Sequence, residues 1–221
     1  MEDKEINKFP HIYSLADFSL NVESISKHAF PDDTPSGITI HHAADRSLGN
    51  VLRALEVNGL GYHVVIERDG RTSQLAKFDR CVWHAGKAIW NGQSPNARFL
   101  AVSLLTWGEV RAEYGGVYGV SQFKAWNGSV LPNEEIVCRV SNNGTDQKYW
   151  WDAATNAQVA SLTRFCLWAV DHGISIDNIC GHDECAIPKG RKSDPGGVLP
   201  MTMLDYRDQL AIEHLKTRCV V

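Results

Sequence analysis

Apolar and polar positions recur at strand or helix spacing along most of this chain. In Gly37–His42, GITIHH, Ile38, Ile40 and His42 fall on one face of a strand, with Thr39 and His41 on the other. With the isoleucines toward a core, His41 looks the opposite way. Ser47 reads as an N-cap, after which Leu48, Val51, Leu52 and Leu55 follow the i, i+3, i+4, i+7 rule until Gly59 and Gly61 stop the helix. GYHVVIE, the tight-turn pair Asp69-Gly70 and RTSQLAKF predict an antiparallel hairpin. Phe99–Trp107, FLAVSLLTW, is a near-continuous apolar run, the pattern of a central strand covered on both faces. Residues 108–150 carry Gly, Asn and aromatics without a sustained period, so an elaborated loop or small subdomain is expected there.

Ala153–His172 gives the strongest helical pattern, with Val159, Leu162, Cys166, Ala169 and Val170 on one side and Gly173 at its end. ISIDNIC then predicts a short strand, HDECAIPKGRKSDPGG an ordered loop, and Thr202–Lys216 a last helix. Strands interleaved with helices imply an α/β fold with helices packed on a sheet. Residues 1–35 are mixed and polar and end in PDDTPSG, which predicts a loosely packed N-terminal extension. This leaves 36–221 as a single domain, with an insertion at about 108–150.

Length and composition narrow the field without naming a chemistry. A chain of 221 residues can bury a full core unaided, and 43% hydrophobic with 22% charged residues excludes collagenous, coiled-coil and largely disordered chains. Twenty-two Lys and Arg against 26 Asp and Glu give a net charge of -4. Such a balance offers no pull toward phosphate polymers or anionic lipid, so neither nucleic acid nor stable membrane association is expected. No apolar run approaches the ~18 residues that cross a bilayer. MEDKEINKFP lacks the basic and apolar regions of a signal peptide, so synthesis in the cytoplasm is expected. The six cysteines, Cys81, Cys138, Cys166, Cys180, Cys185 and Cys219, are irregularly spaced without a CxxC pair and read as mostly buried thiols. A monomer is expected.

Candidate chemistry concentrates at strand ends. His41 lies on the outward face of the first strand, His182 follows ISIDNIC directly after Gly181, and Asp194 comes twelve residues later in a Gly- and Pro-containing loop that can fold back. Two imidazoles and a carboxylate make a three-ligand zinc site, whose fourth position stays open to water. Spacing alone leaves the plainer alternative open, that of hydrogen-bonded strand-end histidines.

The ordered series ITIHHAA, GYHVVIERDG, VWHAGKAIW, FLAVSLL and GHDECAIPKGRKSDPGG resembles the zinc-dependent N-acetylmuramoyl-L-alanine amidases, the family that includes peptidoglycan recognition proteins and short phage amidases. The resemblance covers roughly residues 37–107 and 153–215. It implies a central mixed sheet flanked by helices, with zinc in a surface cleft held by His41, His182 and Asp194. It further implies that Tyr62 and Lys192 act in catalysis and that Trp83 and His84, in VWHAG, line the substrate cleft. Backbone hydrogen bonding is the alternative role for His84, and packing is expected of His63. Where many relatives carry a glutamate general base, this chain has Ser103, and Glu109 is out of register to replace it. Cys185, three residues after His182, is read as a buried thiol rather than a ligand. Trp126, Trp150 and Trp151 are candidates for stacking on sugar rings, against core packing as the commoner use.

The expected activity is hydrolysis of the amide between N-acetylmuramic acid and L-alanine in peptidoglycan, by a lytic enzyme delivered to the wall. Two alternatives are a recognition module that binds muropeptide without cleaving it and a cytoplasmic amidase that recycles soluble muropeptides.

Overall fold

The computed structural model describes residues 12–14, 26–115, 119–140 and 148–218. Its chain order is β1 (Ile12–Ser14), β2 (Ser26–Ala29), β3 (Gly37–His42), α1 (Leu48–Asn58), β4 (Val64–Ile66), β5 (Thr72–Gln74), β6 (Arg80–Val82), α2 (Pro95–Arg98) and β7 (Phe99–Leu104). There follow β8 (Glu109–Tyr114), β9 (Val120–Lys124), β10 (Val130–Leu131), β11 (Ile136–Val140), β12 (Lys148–Asp152), α3 (Asn156–Asp171), β13 (Ile179–Gly181), α4 (His182–Cys185) and α5 (Met203–Arg218).

The principal sheet runs β1-β5-β4-β7-β3-β13. β4, β7, β3 and β13 are parallel neighbours, while β5 returns antiparallel to β4. The apolar run predicted as a central strand is the middle of this sheet, and every residue of β7 is buried. Alternation along β3 and β7 sorts their side chains. Ile38, Ile40, Leu100, Val102 and Leu104 enter the main core with Leu162, Phe165 and Cys166 of α3 and Tyr206 and Leu210 of α5. His41 and Ser103, register partners in the two strands, face the other side.

Helix α1 covers part of that second face with Leu48, Val51, Leu52 and Leu55, packed on Val65, Leu75 and Leu105. Burying each such side chain contributes about 1.5–3 kcal/mol. Ser47 caps α1, accepting from Asn50 N. Thr155 and Gln158 form a capping box on α3, and the Gln158 amide also donates to Ile66 O and Leu105 O, tying the helix start to the ends of β4 and β7.

Three predictions need adjustment. Residues 109–152 contain a five-stranded antiparallel sheet, ordered β10-β9-β8-β12-β11, where a loop or small subdomain without periodicity was expected. The pattern is faint because its strands are mostly half-exposed, with only a small core of Val110, Phe123, Ala125, Leu131 and Ile136. ISIDNIC begins as a 3-10 turn at Ile176–Asn178 before β13, and HDEC is one turn of helix. Within the predicted N-terminal extension, β1 pairs with β5, β2 pairs with β6, and Phe30 is buried in the main core. Residues 1–11 and 15–25 of that extension lie outside the described residues. Cys81, Cys166, Cys180 and Cys185 are buried free thiols, Cys138 is an exposed one, and Cys219 lies outside the described residues. Among the described residues no helix is long and apolar enough to cross a membrane.

Candidate metal centre

His41 leaves the second face of the sheet near the end of β3, and His182 opens α4 directly after β13, the next strand. Asp194 reaches back from the following loop, whose carbonyl accepts from Asp183 N at 2.7 Å. Its Oδ2 lies 2.8 Å from His41 Nδ1 and 2.9 Å from His182 Nδ1. The three donor atoms all fall within 4.8 Å of one another, and all three residues are buried. His42 lies on the opposite side of β3, its ring packed on Gly108, where an added Cβ would come within 2.1 Å of the imidazole. The choice of His41 over His42 therefore agrees with the geometry.

The outer nitrogens decide what the inner ones can do. His182 Nε2 is 2.9 Å from Ala85 O, and a carbonyl only accepts, so Nε2 carries the proton. His84 Nε2 likewise donates to Pro95 O at 3.2 Å, which leaves His84 Nδ1 to accept from His41 Nε2 at 2.9 Å. Burial pushes the His41 imidazole down to about 4 against the pull of Asp194, so the ring is neutral at pH 7. Both ligand rings consequently turn an Nδ1 lone pair toward a carboxylate oxygen. Three lone pairs meeting in a buried space call for a cation, and the donor set fits zinc in a three-ligand site.

Asp194 itself is subject to opposing forces. Burial would raise its carboxyl, but a positive charge, proton or cation, shared with the Nδ1 atoms of His182 and His41 outweighs that and holds it well below the usual carboxylate range. Neighbouring Asp183 is pushed up to about 8 by burial and by the charges of Asp194 and Glu184. The Tyr62 ring lies 5.2 Å from that of His41, centre to centre. Burial, then the Asp194 charge, raises its phenol above the usual range, so Tyr62 stays a hydrogen-bond donor at neutral pH. Lys192 is half-buried, and its charge is felt at His42.

The remaining predicted residues divide between site and scaffold. Ser103 is fully buried beside His41 in register, and Glu109 is exposed on β8. Trp83 is 56% exposed, with Lys27 Nζ 5.4 Å from its ring centre, and Trp83 O accepts from Gly61 N beside Tyr62. His84 is buried with both ring nitrogens engaged, one by the backbone as its alternative reading held and one by His41. His63 bridges Ala101 N and Arg80 O within the fold. Cys185 is buried, its thiol directed to His182 O. Trp151 is core, Trp150 is half-buried in the small core of the second sheet, and Trp126 is exposed. Sequence reasoning did not single out Asn96 or the Ala85 carbonyl, since their part is played through backbone contacts that no local motif marks.

A mixed-sheet α/β domain with a buried three-donor centre has the layout of a metal-assisted hydrolase. The family model described as N-acetylmuramoyl-L-alanine amidase, Amidase_2, matches residues 31–197, and the chain belongs to that family. None of the curated proteins compared matches it. Among solved structures, the Escherichia coli amidase AmiD, in complex with the substrate anhydro-N-acetylmuramic acid-L-Ala-D-gamma-Glu-L-Lys, is 19% identical with a TM-score of 0.57, over 84% of this chain and 60% of that one. AMPDH3 from Pseudomonas aeruginosa, in complex with anhydromuramic pentapeptide, is 16% identical with a TM-score of 0.54, over 80% and 60%. The endolysin amidase LysCS from Clostridium intestinale is 14% identical with a TM-score of 0.54, over 93% and 98%. The chain thus spans about 60% of the length of the first two and nearly all of the third. At these identities the agreement is one of fold.

Proposed function

We propose that this protein hydrolyses the amide bond between N-acetylmuramic acid and L-alanine in peptidoglycan, with zinc held by His41 Nδ1, His182 Nδ1 and Asp194 Oδ2. The observation that carries this reading is the convergence of those three atoms, within 4.8 Å, in a chain of the amidase family. Zinc bound there would supply a Lewis acid and a water acidified toward neutral pH.

The chain's own groups do the rest. As the scissile carbonyl turns tetrahedral, negative charge builds on its oxygen. By the resemblance, the protonated Tyr62 hydroxyl and the Lys192 ammonium are assigned to hold that charge, and each such donor contributes ~10²- to 10³-fold in rate. Ser103 cannot take a proton at neutral pH without a base of its own, so it does not stand in for the family glutamate. His84 and the Ala85 carbonyl keep both ligand rings in the tautomer that presents Nδ1.

We read the role as lytic, acting on the intact wall after delivery from the cytoplasm. The support is Trp126, at the tip of the β9–β10 hairpin. Its indole N–H donates to Ala44 O at 2.7 Å, three residues beyond His41, while 69% of the residue stays exposed. A fixed, open aromatic face, tied to the stretch that follows His41, suits the apolar side of a sugar ring in a glycan strand. A second reading, cleavage of soluble muropeptides, draws on the anhydromuropeptide ligands of the AmiD and AMPDH3 structures.

The test is digestion of purified peptidoglycan with identification of the new ends. New L-alanine amino termini without new reducing sugars establish the amidase, while binding without new ends makes the protein a recognition module. Faster turnover of soluble anhydromuropeptide than of intact sacculi would favour the recycling role over the lytic one.

A further inference from the structure

We propose that Asn96 is a positioning residue for the metal centre, a single amide that fixes the His84–Ala85 segment on which both ligand imidazoles depend. The inference rests on the reading that His41, His182 and Asp194 hold zinc. Asn96 Oδ1 accepts from His84 N and from Ala85 N, each at 2.9 Å, and its Nδ2 donates to Gly86 O at 2.7 Å. One side chain therefore binds the backbone of three consecutive residues.

Two outer contacts of the centre hang from that segment. The His84 ring takes the Nε2 proton of His41, and Ala85 O takes that of His182. Pro95, the residue before Asn96, supplies the carbonyl that sets the His84 tautomer. On the far side, Arg191 Nη2 donates to Ala85 O at 3.0 Å and to Lys87 O at 2.8 Å. Without the Asn96 clamp, His84 and Ala85 would drift together, and both imidazoles would lose their orientation at once. Outer partners of this kind typically account for 10- to 100-fold in metal affinity.

The clamp can be separated from general support of the fold. Asn91, in the same connection, binds Asp177 O and Asn178 Oδ1 at 3.1 Å each and touches neither histidine. Its φ of +47° makes Asn91→Gly a suitable loss of those bonds. Asn96→Asp keeps the oxygen that accepts from His84 N and Ala85 N but loses the donor to Gly86 O.

Zinc affinity is measured by competition with a chromophoric chelator on the full chain, alongside urea unfolding of the metal-free protein and the visible spectrum of the cobalt-loaded form. Expected are a zinc Kd about 10- to 100-fold weaker in Asn96→Ala with a changed cobalt spectrum, and a Kd within about threefold of the parent in Asn96→Asp. Asn91→Gly should lower the urea midpoint and leave the zinc Kd at the parent value. Parental zinc affinity in Asn96→Ala, or equal weakening in Asn91→Gly, overturns the clamp. Should Asn96→Ala fail to fold, Asn96→Ser, whose shorter side chain cannot hold both amides and Gly86 O together, decides: a tenfold or greater loss of zinc affinity upholds the clamp, and parental affinity overturns it. A parent that takes up no zinc overturns the metal-centre reading itself and the clamp with it, whereas the other results leave that reading standing.

Discussion

The two sheets of this protein are built on different terms. The six-stranded sheet is sandwiched between α3 and α5 on one side and α1 on the other, and its central strands are buried throughout. The five-stranded sheet has a small core of its own and is fastened to the rest by single side chains. Trp151 lies fully buried against Gly196 and Gly197, where an added Cβ at either glycine would come within 2.4 Å of the indole. Arg139 donates to the carbonyls of Gly197 and Leu199. On the other flank, Asp152 accepts from Arg46 Nε at 2.9 Å and from Trp107 N at 2.7 Å, and Trp126 donates to Ala44 O. The first sheet holds two of the three candidate metal donors on or beside its strands. The second braces the stretches that follow, residues 44–46 after His41 and 196–199 after Asp194.

This contrast can be broken at several points. The largest effect is expected in the principal sheet and its loops: His41→Ala, His182→Ala or Asp194→Ala should each abolish tight zinc binding and cut hydrolysis by about 10³-fold or more. Zinc analysis and release of L-alanine termini check this, and a metal-free His182→Ala protein with full activity would refute the centre. Tyr62→Phe, beside that sheet, should retain zinc yet turn over ~10²- to 10³-fold more slowly. An unchanged rate removes the phenol from the mechanism.

Trp151→Ala and Phe165→Ala should each cost about 3–5 kcal/mol in urea unfolding. Only the Trp151 variant should also weaken zinc binding, because only it loosens the loop after Asp194. Equal zinc affinities in the two folded variants would mean that the second sheet is no brace.

The smallest effect is electrostatic and belongs to the principal sheet alone. Burial pushes the His63 imidazole down to about 4, so as pH falls the unfolded chain takes up its proton first. The stabilisation is whole above about pH 6.5 and is lost as pH falls toward 4, by about 3 kcal/mol. His63→Gln should flatten that part of the dependence of the urea midpoint on pH, and an unchanged profile would assign the loss to other groups.

Legibility in the sequence follows the same division. β3, α1, the β4–β5 hairpin, β7 and α3 could be read because each buries a regular face or is bounded by turn and cap chemistry, as with Ser47, Asp69-Gly70 and Gly173. β8 to β12 could not, since Glu109, Arg111 and Glu113 alternate with a half-covered face and the strands answer to distant partners such as Gly196. At the centre, His41, His182 and Asp194 were marked by strand alternation and by motif. Asn96 and Ala85 act through main-chain groups, which have the same chemistry in every residue and so leave no trace in composition or spacing.

His41 and Asp194 stand 153 positions apart. During synthesis Asp194 emerges after both histidines, so a polypeptide that stops before it carries no complete cage for an ion. Products that end before Asp194 are therefore expected to be inert by construction.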